Sequence, residues 1–387
     1  MFPAPVSEQG LEDIMLNIKK RFANKPKVAI AGFGKAGKSS LFNAIYGENV
    51  VKVSMRTDET AEAQTRERFG IDFTDTPGIG TGKFSFEKVQ QMGVFDRQHV
   101  VIHVLNGASA ISAEDEQLHE LIEQSEAKRI TVVNKVDILD EQEQADYAQS
   151  IMERLGLFPR DFFFVSAKKG IRIADLIQRI VEILPEAMRD AFIAEQNADL
   201  ALKEKRIRNV VYSKAVICAA TAAIPVPISD IFILTPIQIA MIVTIGCFHG
   251  VEVTKERALE LMATLGTGVG LREVARQLIK LVPGYGQVVS ASIAFAGTVA
   301  LGETANAWFK KKMKIEAEEL LQIFTKTAEQ AKQDYQGYSQ RQVQLKQQLG
   351  ELRKQLDSGT ISQDDFENKL LELNNSQETK KSDSADV

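Results

Sequence analysis

Cysteine and histidine are scarce in this chain. Two cysteines, Cys218 and Cys247, among 387 residues exclude a disulfide scaffold and a zinc ribbon. The four histidines (His99, His103, His119 and His249) fall without metal-ligand spacing. An excess of charge of one sign is also missing. Lys and Arg number 47 against 52 Asp and Glu, a net charge of −5, which exerts no global pull on nucleic acid. No basic segment with a cleavage site opens the sequence, so secretion is not expected. What is there is ample: 44% of residues are hydrophobic, which excludes a wholly disordered chain. The length suggests two or three domains of roughly 100–200 residues each.

The apolar residues are unevenly spread. Leu11, Ile14, Met15, Ile18 and Phe22 recur at helical spacing, predicting a short amphipathic helix over 8–22. From 27 to 183, apolar runs alternate with helical patterns. The strand-like runs are Lys27–Ala31, Ile71–Thr74, Val100–Leu105, Ile130–Val133 and Phe162–Val165, with a further strand expected over 62–70. That rhythm predicts a parallel sheet with crossover helices. Residues 186–214 read as a charged helical link.

Residues 32–39, Gly-Phe-Gly-Lys-Ala-Gly-Lys-Ser, satisfy two motifs at once. One is the triphosphate-binding loop G-x-x-x-x-G-K-[ST]. The other is G-x-G-x-x-G of dinucleotide sites, for which Asp58 lies about where a ribose-binding acid belongs. Both follow a strand and open a helix, because both aim backbone N–H groups and a helix N-terminus at phosphate. Downstream residues favour the triphosphate. Lys38 and Ser39 are superfluous for a dinucleotide. Asp75-Thr-Pro-Gly78 follows the next strand, where a metal-organising carboxylate belongs. Asn134-Lys135-Val-Asp137 ends another strand, and Ser166-Ala167-Lys168 the one after. A carboxylate at Asp137 accepts from both N1–H and the N2 amino group of guanine. Adenine offers neither donor, so the base is chosen by the penalty of unpaired groups.

On these motifs the segment 25–186 resembles an Era-like GTPase of the translation-factor-related class. The resemblance implies GTP/GDP and Mg²⁺ as ligands. It places Gly32, Gly34, Lys35, Ala36, Gly37, Lys38, Ser39 and Ser40 around the phosphates. Lys38 would bridge the β- and γ-phosphates and Ser39 would ligate Mg²⁺. Asp75 would hold a metal-bound water, and Gly78 would give its N–H to the γ-phosphate. Asn134 and Asp137 would bind guanine, with Lys135 along the base, the Ala167 N–H on the guanine carbonyl, and Ser166 and Lys168 flanking.

Two positions depart from the simplest GTPase, and the place of a third residue is open. Residue 79 is Ile, where Ras-like proteins carry a water-orienting glutamine, so intrinsic hydrolysis is expected to be slow unless dimerisation or a partner activates it. Lys35 stands where many Era-like proteins have a potassium-binding asparagine and where guanylate-binding GTPases have an arginine finger in cis. Lys35 is read either as a catalytic cation at the β–γ bridge or as a solvated loop lysine. The switch threonine that completes the Mg²⁺ site is Thr60 on sequence position, with Thr57 and Thr65 as alternatives.

Two stretches further on lack charge. Ala215–Val251 holds only Asp230, and Leu281–Gly302 holds none. Both are long enough for a bilayer core of about 20 residues. Lys203, Lys205, Arg206, Arg208 and Lys214 precede the first region, and Lys310, Lys311, Lys312 and Lys314 follow the second, placed to touch anionic lipid. Trp308 sits where an interfacial aromatic or a core tryptophan belongs. Against spanning stand Pro225, Pro227, Pro236 and the charged connector 252–280. Membrane association and a buried bundle or oligomer interface are both open. The Pro225-Val-Pro-Ile-Ser-Asp230 entry and the Pro283-Gly284-Tyr-Gly286 turn resemble a bacterial domain of unknown function found behind Era-like GTPase domains, which implies location and assembly rather than chemistry.

A polar helix is expected over 309–349. Residues 350–374 read as helix, Gly359 turn and helix, with Ser362 and Asp365 as a capping pair; this resembles the short C-terminal (SHOCT) hairpin. Residues 375–387 read as a disordered tail. The expected fold is therefore an α/β P-loop GTPase domain, mostly parallel with helices on both faces, then an all-α hydrophobic domain and a helical hairpin. The boundaries are 1–24, 25–186, 187–308, 309–349, 350–374 and 375–387. The expected function is a GTP-hydrolysing switch, with a nucleotide-regulated membrane or channel-like assembly as the alternative. Expected partners are guanine nucleotide, further copies of the chain and a membrane, without nucleic acid. The expected location is the cytoplasmic face of a membrane or the cytoplasm.

Overall fold

The computed structural model describes residues 8–46, 64–68, 71–75, 95–222, 230–267 and 286–358, with isolated positions at 360, 361, 365 and 369. Two compact units divide the chain: Arg21–Lys203, and Met1–Lys20 together with Glu204–Val387. The first helix, α1 (Glu8–Ala23), carries the expected apolar stripe, with Leu11, Ile14 and Met15 buried.

Among the described residues, the unit 21–203 holds six strands: β1 (Val28–Ala31), β2 (Gln64–Arg68), β3 (Ile71–Asp75), β4 (Val100–Asn106), β5 (Lys128–Asn134) and β6 (Phe162–Val165). Their order is β2-β3-β1-β4-β5-β6. β2 runs antiparallel to β3, and every other pairing is parallel. A parallel sheet is covered on both faces, so its strands read as unbroken apolar runs, and β4 is buried from Val100 through Leu105. Alternation still sorts the side chains. Val28 and Ile30 join one core cluster, whereas Ala29 and Ala31 join another on the opposite face.

The α-helices described between these strands and after them are α2 (Lys38–Tyr46), α3 (Ala113–Glu123), α4 (Glu141–Leu155), α5 (Ile173–Ile183) and α6 (Glu186–Glu195). Ser112 with Asp115 and Asp140 with Glu143 form reciprocal capping boxes that start α3 and α4. Leu41 and Ile45 of α2 are fully buried, each worth roughly 2 kcal/mol of apolar burial. The unit continues past 186, the boundary read from the sequence. Phe192 on α6 is fully buried in the same cluster as Val28, Leu41 and Ile45, so α6 is part of this core. The strand order reverses at β1, which has β3 on one side and β4 on the other. Such a switch point opens a crevice at the carboxyl ends of the strands.

The second unit is helical: most of α7 (Leu200–Ala222), then α8 (Asp230–Phe248), α9 (Lys255–Thr267), α10 (Gly286–Lys310) and α11 (Ala317–Asp357). α8 has hardly any polar face, and from Ile239 to Gly246 every residue is buried by the protein itself. A helix apolar all round must be surrounded, and here other helices surround it. Among the described residues no helix is long and apolar enough to cross a membrane. Trp308 takes the core alternative: it is 7% exposed and packs on Phe309, ring centres 5.3 Å apart. At Gly302 a Cβ would lie 2.6 Å from Val211 Cγ2, so glycine permits the close approach of α10 and α7. Burial pushes the Cys218 thiol up to about 12, against smaller opposing effects of Thr298 and Lys214.

The polar helix expected from 309 begins at Ala317 instead. Lys312 and Met313 both have positive φ, and Met313 N–H donates to Trp308 O (2.7 Å) while Lys312 N–H donates to Phe309 O (2.9 Å). This paired closure ends α10. α11 then runs on through Gly350 to Asp357, so the polar helix and the first helix read after it are one. The rest of the hairpin, including Gly359 and Ser362, lies outside the described residues.

Candidate nucleotide-binding site

The chain leaves β1 into the loop 32–37 and enters α2 at Lys38. Close contacts dictate the glycines here. A Cβ on Gly32 would lie 2.4 Å from Val104 O, so only glycine turns off the strand beside β4. Gly37 has φ +93°, and a Cβ there would lie 2.2 Å from Asn134 Nδ2. Lys35 is exposed with φ 66°. Ala36 N–H donates to Phe33 O (3.2 Å), and Leu41 N–H to Gly37 O (2.8 Å), which closes the loop and opens the helix. The Lys38 ammonium folds back along the loop, donating to Gly32 O at 3.1 Å and reaching Phe33 O at 3.5 Å. Ser39 and Ser40 follow in the first turn of α2, where N–H groups without helical partners favour an anion.

Asn134 ends β5, is 2% exposed, and binds the separate motifs together. Its Nδ2 donates to Ala36 O (2.9 Å) in the phosphate loop. Its Oδ1 accepts from Lys135 N (2.9 Å) and from Ala167 N (3.0 Å). The Ala167 N–H, assigned by resemblance to the guanine carbonyl, is thus engaged with Asn134. Lys135 takes φ 71°, which swings the chain into a single 3₁₀ turn, Val136–Ile138, carrying Asp137. Asp137 Oδ1 accepts a 2.6 Å bond from Ser166 Oγ, and Oδ2 lies 3.8 Å from Lys169 Nζ. Ser166 is fully buried and paired with Ile171 through two backbone bonds of 3.1 Å. Its hydroxyl holds the Asp137 carboxyl below the usual range, ahead of a smaller opposing effect of burial, with Lys169 and Lys168 adding to the lowering. The carboxylate is therefore anionic at neutral pH. The Lys135 ammonium is pushed down by burial first and then by the charge of Lys35.

Asp75 is the last residue of β3 and stands in register with Ile30, so it comes to the carboxyl end of the sheet beside the phosphate loop. Thr65 lies in β2 opposite Thr74. Thr57, Thr60, Gly78 and Ile79 lie outside the described residues. Among the described residues no three His, Cys, Asp or Glu side chains come together as a metal centre. The expected Mg²⁺ set of Ser39, Thr60 and Asp75 draws instead on one hydroxyl of α2 and on residues whose side chains are not described.

Two contributors have no motif to announce them. Lys169 pairs with Asp137 from just beyond the Ser-Ala-Lys run. Gly107 donates its N–H to Asn134 O (2.9 Å), and a Cβ there would lie 2.8 Å from that oxygen. A cavity of about 250 Å³ lies elsewhere, at the amino-terminal ends of β5 and β6, lined by Glu123, Arg129, Asp161 and Arg179 among others. None of the phosphate or base residues lines it.

Residues 27–135 match the family model described as 50S ribosome-binding GTPase. The stretch is similar to that family, and the unit that contains it has the fold of a P-loop GTPase domain. Residues 193–348 match a domain of unknown function (DUF697), in agreement with the resemblance read from the two Pro-containing motifs. The GTPase region is similar to GTPase Era of Carboxydothermus hydrogenoformans, 29% identical over 168 residues, which cover 41% of this chain and 55% of that one. It is also similar to GTPase Der of Pelotomaculum thermopropionicum, 35% identical over 181 residues, covering 44% of this chain and 39% of that one. The chain thus spans about half the length of the first relative and two-fifths of the second. Among solved structures, Era in complex with MgGDPNP and nucleotides 1506–1542 of 16S ribosomal RNA is 24% identical, covering 41% of this chain and 57% of that one, at a TM-score of 0.35.

Proposed function

We propose that this protein binds GTP and hydrolyses it to GDP and phosphate, and that hydrolysis drives assembly or a conformational change of the helical domain. The observation that carries the reading is the anionic Asp137 carboxylate, fixed by Ser166 and joined through Asn134 to the phosphate loop. A carboxylate so held accepts two donors in one plane, which guanine presents and adenine lacks.

Lys38 withdraws from the Gly32 carbonyl to the β- and γ-phosphates, and the N–H groups at the start of α2 donate to the same oxygens. Lys135 lies along the base. Ser39, Thr60 and Asp75 would hold Mg²⁺, which would supply charge neutralisation at the phosphates. Gly78 donates its N–H to the γ-phosphate. Lys35, exposed on the loop and near enough to Lys135 to depress it, supplies a covalent cation at the β–γ bridge. Replacing Lys35 with Ala should lower turnover with GTP affinity nearly unchanged. Equal turnover in both proteins returns Lys35 to a solvated surface residue.

A second reading, a nucleotide-regulated assembly with negligible turnover, is favoured by Ile79, a side chain unable to orient water. Phosphate release from protein with Mg²⁺ and GTP separates the two. Release that rises with protein concentration supports a self-assembling GTPase. Location at the cytoplasmic face of a membrane, or in the cytoplasm, also belongs to this proposal. The enclosed α8 favours a packed bundle, and flotation with anionic liposomes decides between them. One relative was solved with ribosomal RNA, whereas the acidic balance of this chain supports a role without nucleic acid.

A further inference from the structure

The carboxyl end of α2 is tied to a turn that starts α7. Ile45 O, in the last turn of α2, accepts from Asn197 N–H at 3.2 Å. Final carbonyls of a helix have no partner within it, so this bond satisfies one from outside. The turn itself is locked from within. Gln196 is fully buried, its Nε2 donating to Asp199 O (2.8 Å) and its Oε1 accepting from Asp199 N (2.7 Å). Asp199 Oδ1 accepts from Leu202 N (2.8 Å) and thereby caps α7, while Oδ2 accepts from Gln178 Nε2 on α5 (3.3 Å). Lys203 Nζ adds a bond to Ala194 O (2.7 Å). Ala198 and Leu202 pack against the core cluster that holds Phe42, Ile45 and Tyr46 of α2. Freeing the turn therefore breaks the bond to α2 and uncovers the core beneath that helix.

We propose that the turn Gln196–Asp199 opens only together with α2, so that a nucleotide at the amino end of α2 locks the first turn of α7 at the other. The proposal rests on the guanine-nucleotide reading above and gives it an output route. Anything that binds only the closed state lowers the opening population by the factor 1 + [L]/Kd, for every group that opens with the site. At about 100 times Kd, amides of the coupled unit should exchange about 100-fold more slowly, and amides that open independently should not change.

The test is amide hydrogen exchange at Asn197 and Leu202 in the full chain, with and without Mg²⁺ and a non-hydrolysable GTP analogue whose binding is measured by calorimetry. The expected result is slowing of both amides by about 100-fold at 100 times Kd. Asn197→Pro deletes the N–H that meets Ile45, and Gln196 already holds φ −69° and ψ 147°, a conformation open to a residue before proline. In this variant the slowing at Leu202 should shrink to within about threefold, and nucleotide affinity should weaken, since coupling is reciprocal. Gln196→Ala, which unlocks the turn and keeps the Asn197 N–H, serves where the proline variant does not fold. Binding by calorimetry without slowing in the unsubstituted chain overturns the coupling and leaves the nucleotide reading standing. Undiminished slowing in both variants overturns the route through this turn. Absence of any guanine-nucleotide binding overturns both.

Discussion

Asp137 accepts its 2.6 Å bond from Ser166 on one oxygen only, which leaves lone pairs on both oxygens for the base. Asp137→Asn replaces one acceptor by a donor facing the guanine N–H groups. GTP affinity should fall roughly a hundredfold, the cost of losing charge-assisted bonds and opposing two donors. Xanthosine triphosphate, which offers a carbonyl in place of the amino group, should regain affinity in the same calorimetric titration. Asn134 is a different kind of residue. Its amide bonds to Ala36 O, Lys135 N and Ala167 N all go to backbone, so Asn134→Ala should cost roughly 2–3 kcal/mol of unfolding free energy by leaving buried groups unpaired, measured by urea denaturation. Gly37→Ala combines a positive φ with a clash against Asn134, and should abolish nucleotide binding while the chain still folds.

At the scale of elements, β4 and α3 hide a titration. His103 on β4 and His119 on α3 are buried with ring centres 5.7 Å apart. Glu123, 3.8 Å from His119, and Arg129 on β5 are the charged groups beside them. Burial, then His119 and then Arg129 push His103 down to about 3. The unfolded histidine takes up a proton near pH 6.5, so below that pH the unfolded chain binds protons that the folded one refuses. Stability should therefore fall by roughly 2 kcal/mol from pH 7 to pH 5 on this account. In His103→Phe this part of the slope should vanish, as read from urea midpoints across pH. The same elements show what a sequence reveals. Parallel strands announce themselves as apolar runs, so the five apolar runs appear as strands within a few residues, and the further strand expected over 62–70 spans Gln64–Arg68. The fastening role of Asn134 was hidden, because its partners Ala36 and Ala167 act through backbone atoms that no residue type marks. The polar helix starts at Ala317 rather than 309 for a similar reason: the turn at Lys312 and Met313 uses residues with no turn preference.

For the whole molecule, the phosphate and base motifs and the apolar stretches were legible, but what surrounds the apolar stretches was not. A charge-free run satisfies a bilayer and a protein core equally, and only packing separates them. Around Ile239–Gly246 the covering is protein, and Gly302 lets α10 approach Val211. Gly302→Val should therefore destabilise the helical unit by about 2 kcal/mol or more through overpacking, lowering its thermal midpoint. The proposed function of the whole chain depends on ligand identity. Isothermal titration of the purified full chain with GTP in the presence of Mg²⁺, repeated with a large excess of ATP, tests that identity directly. GTP should bind and ATP should leave the isotherm unchanged; displacement of GTP by ATP at comparable concentration would show that the base is not selected as guanine.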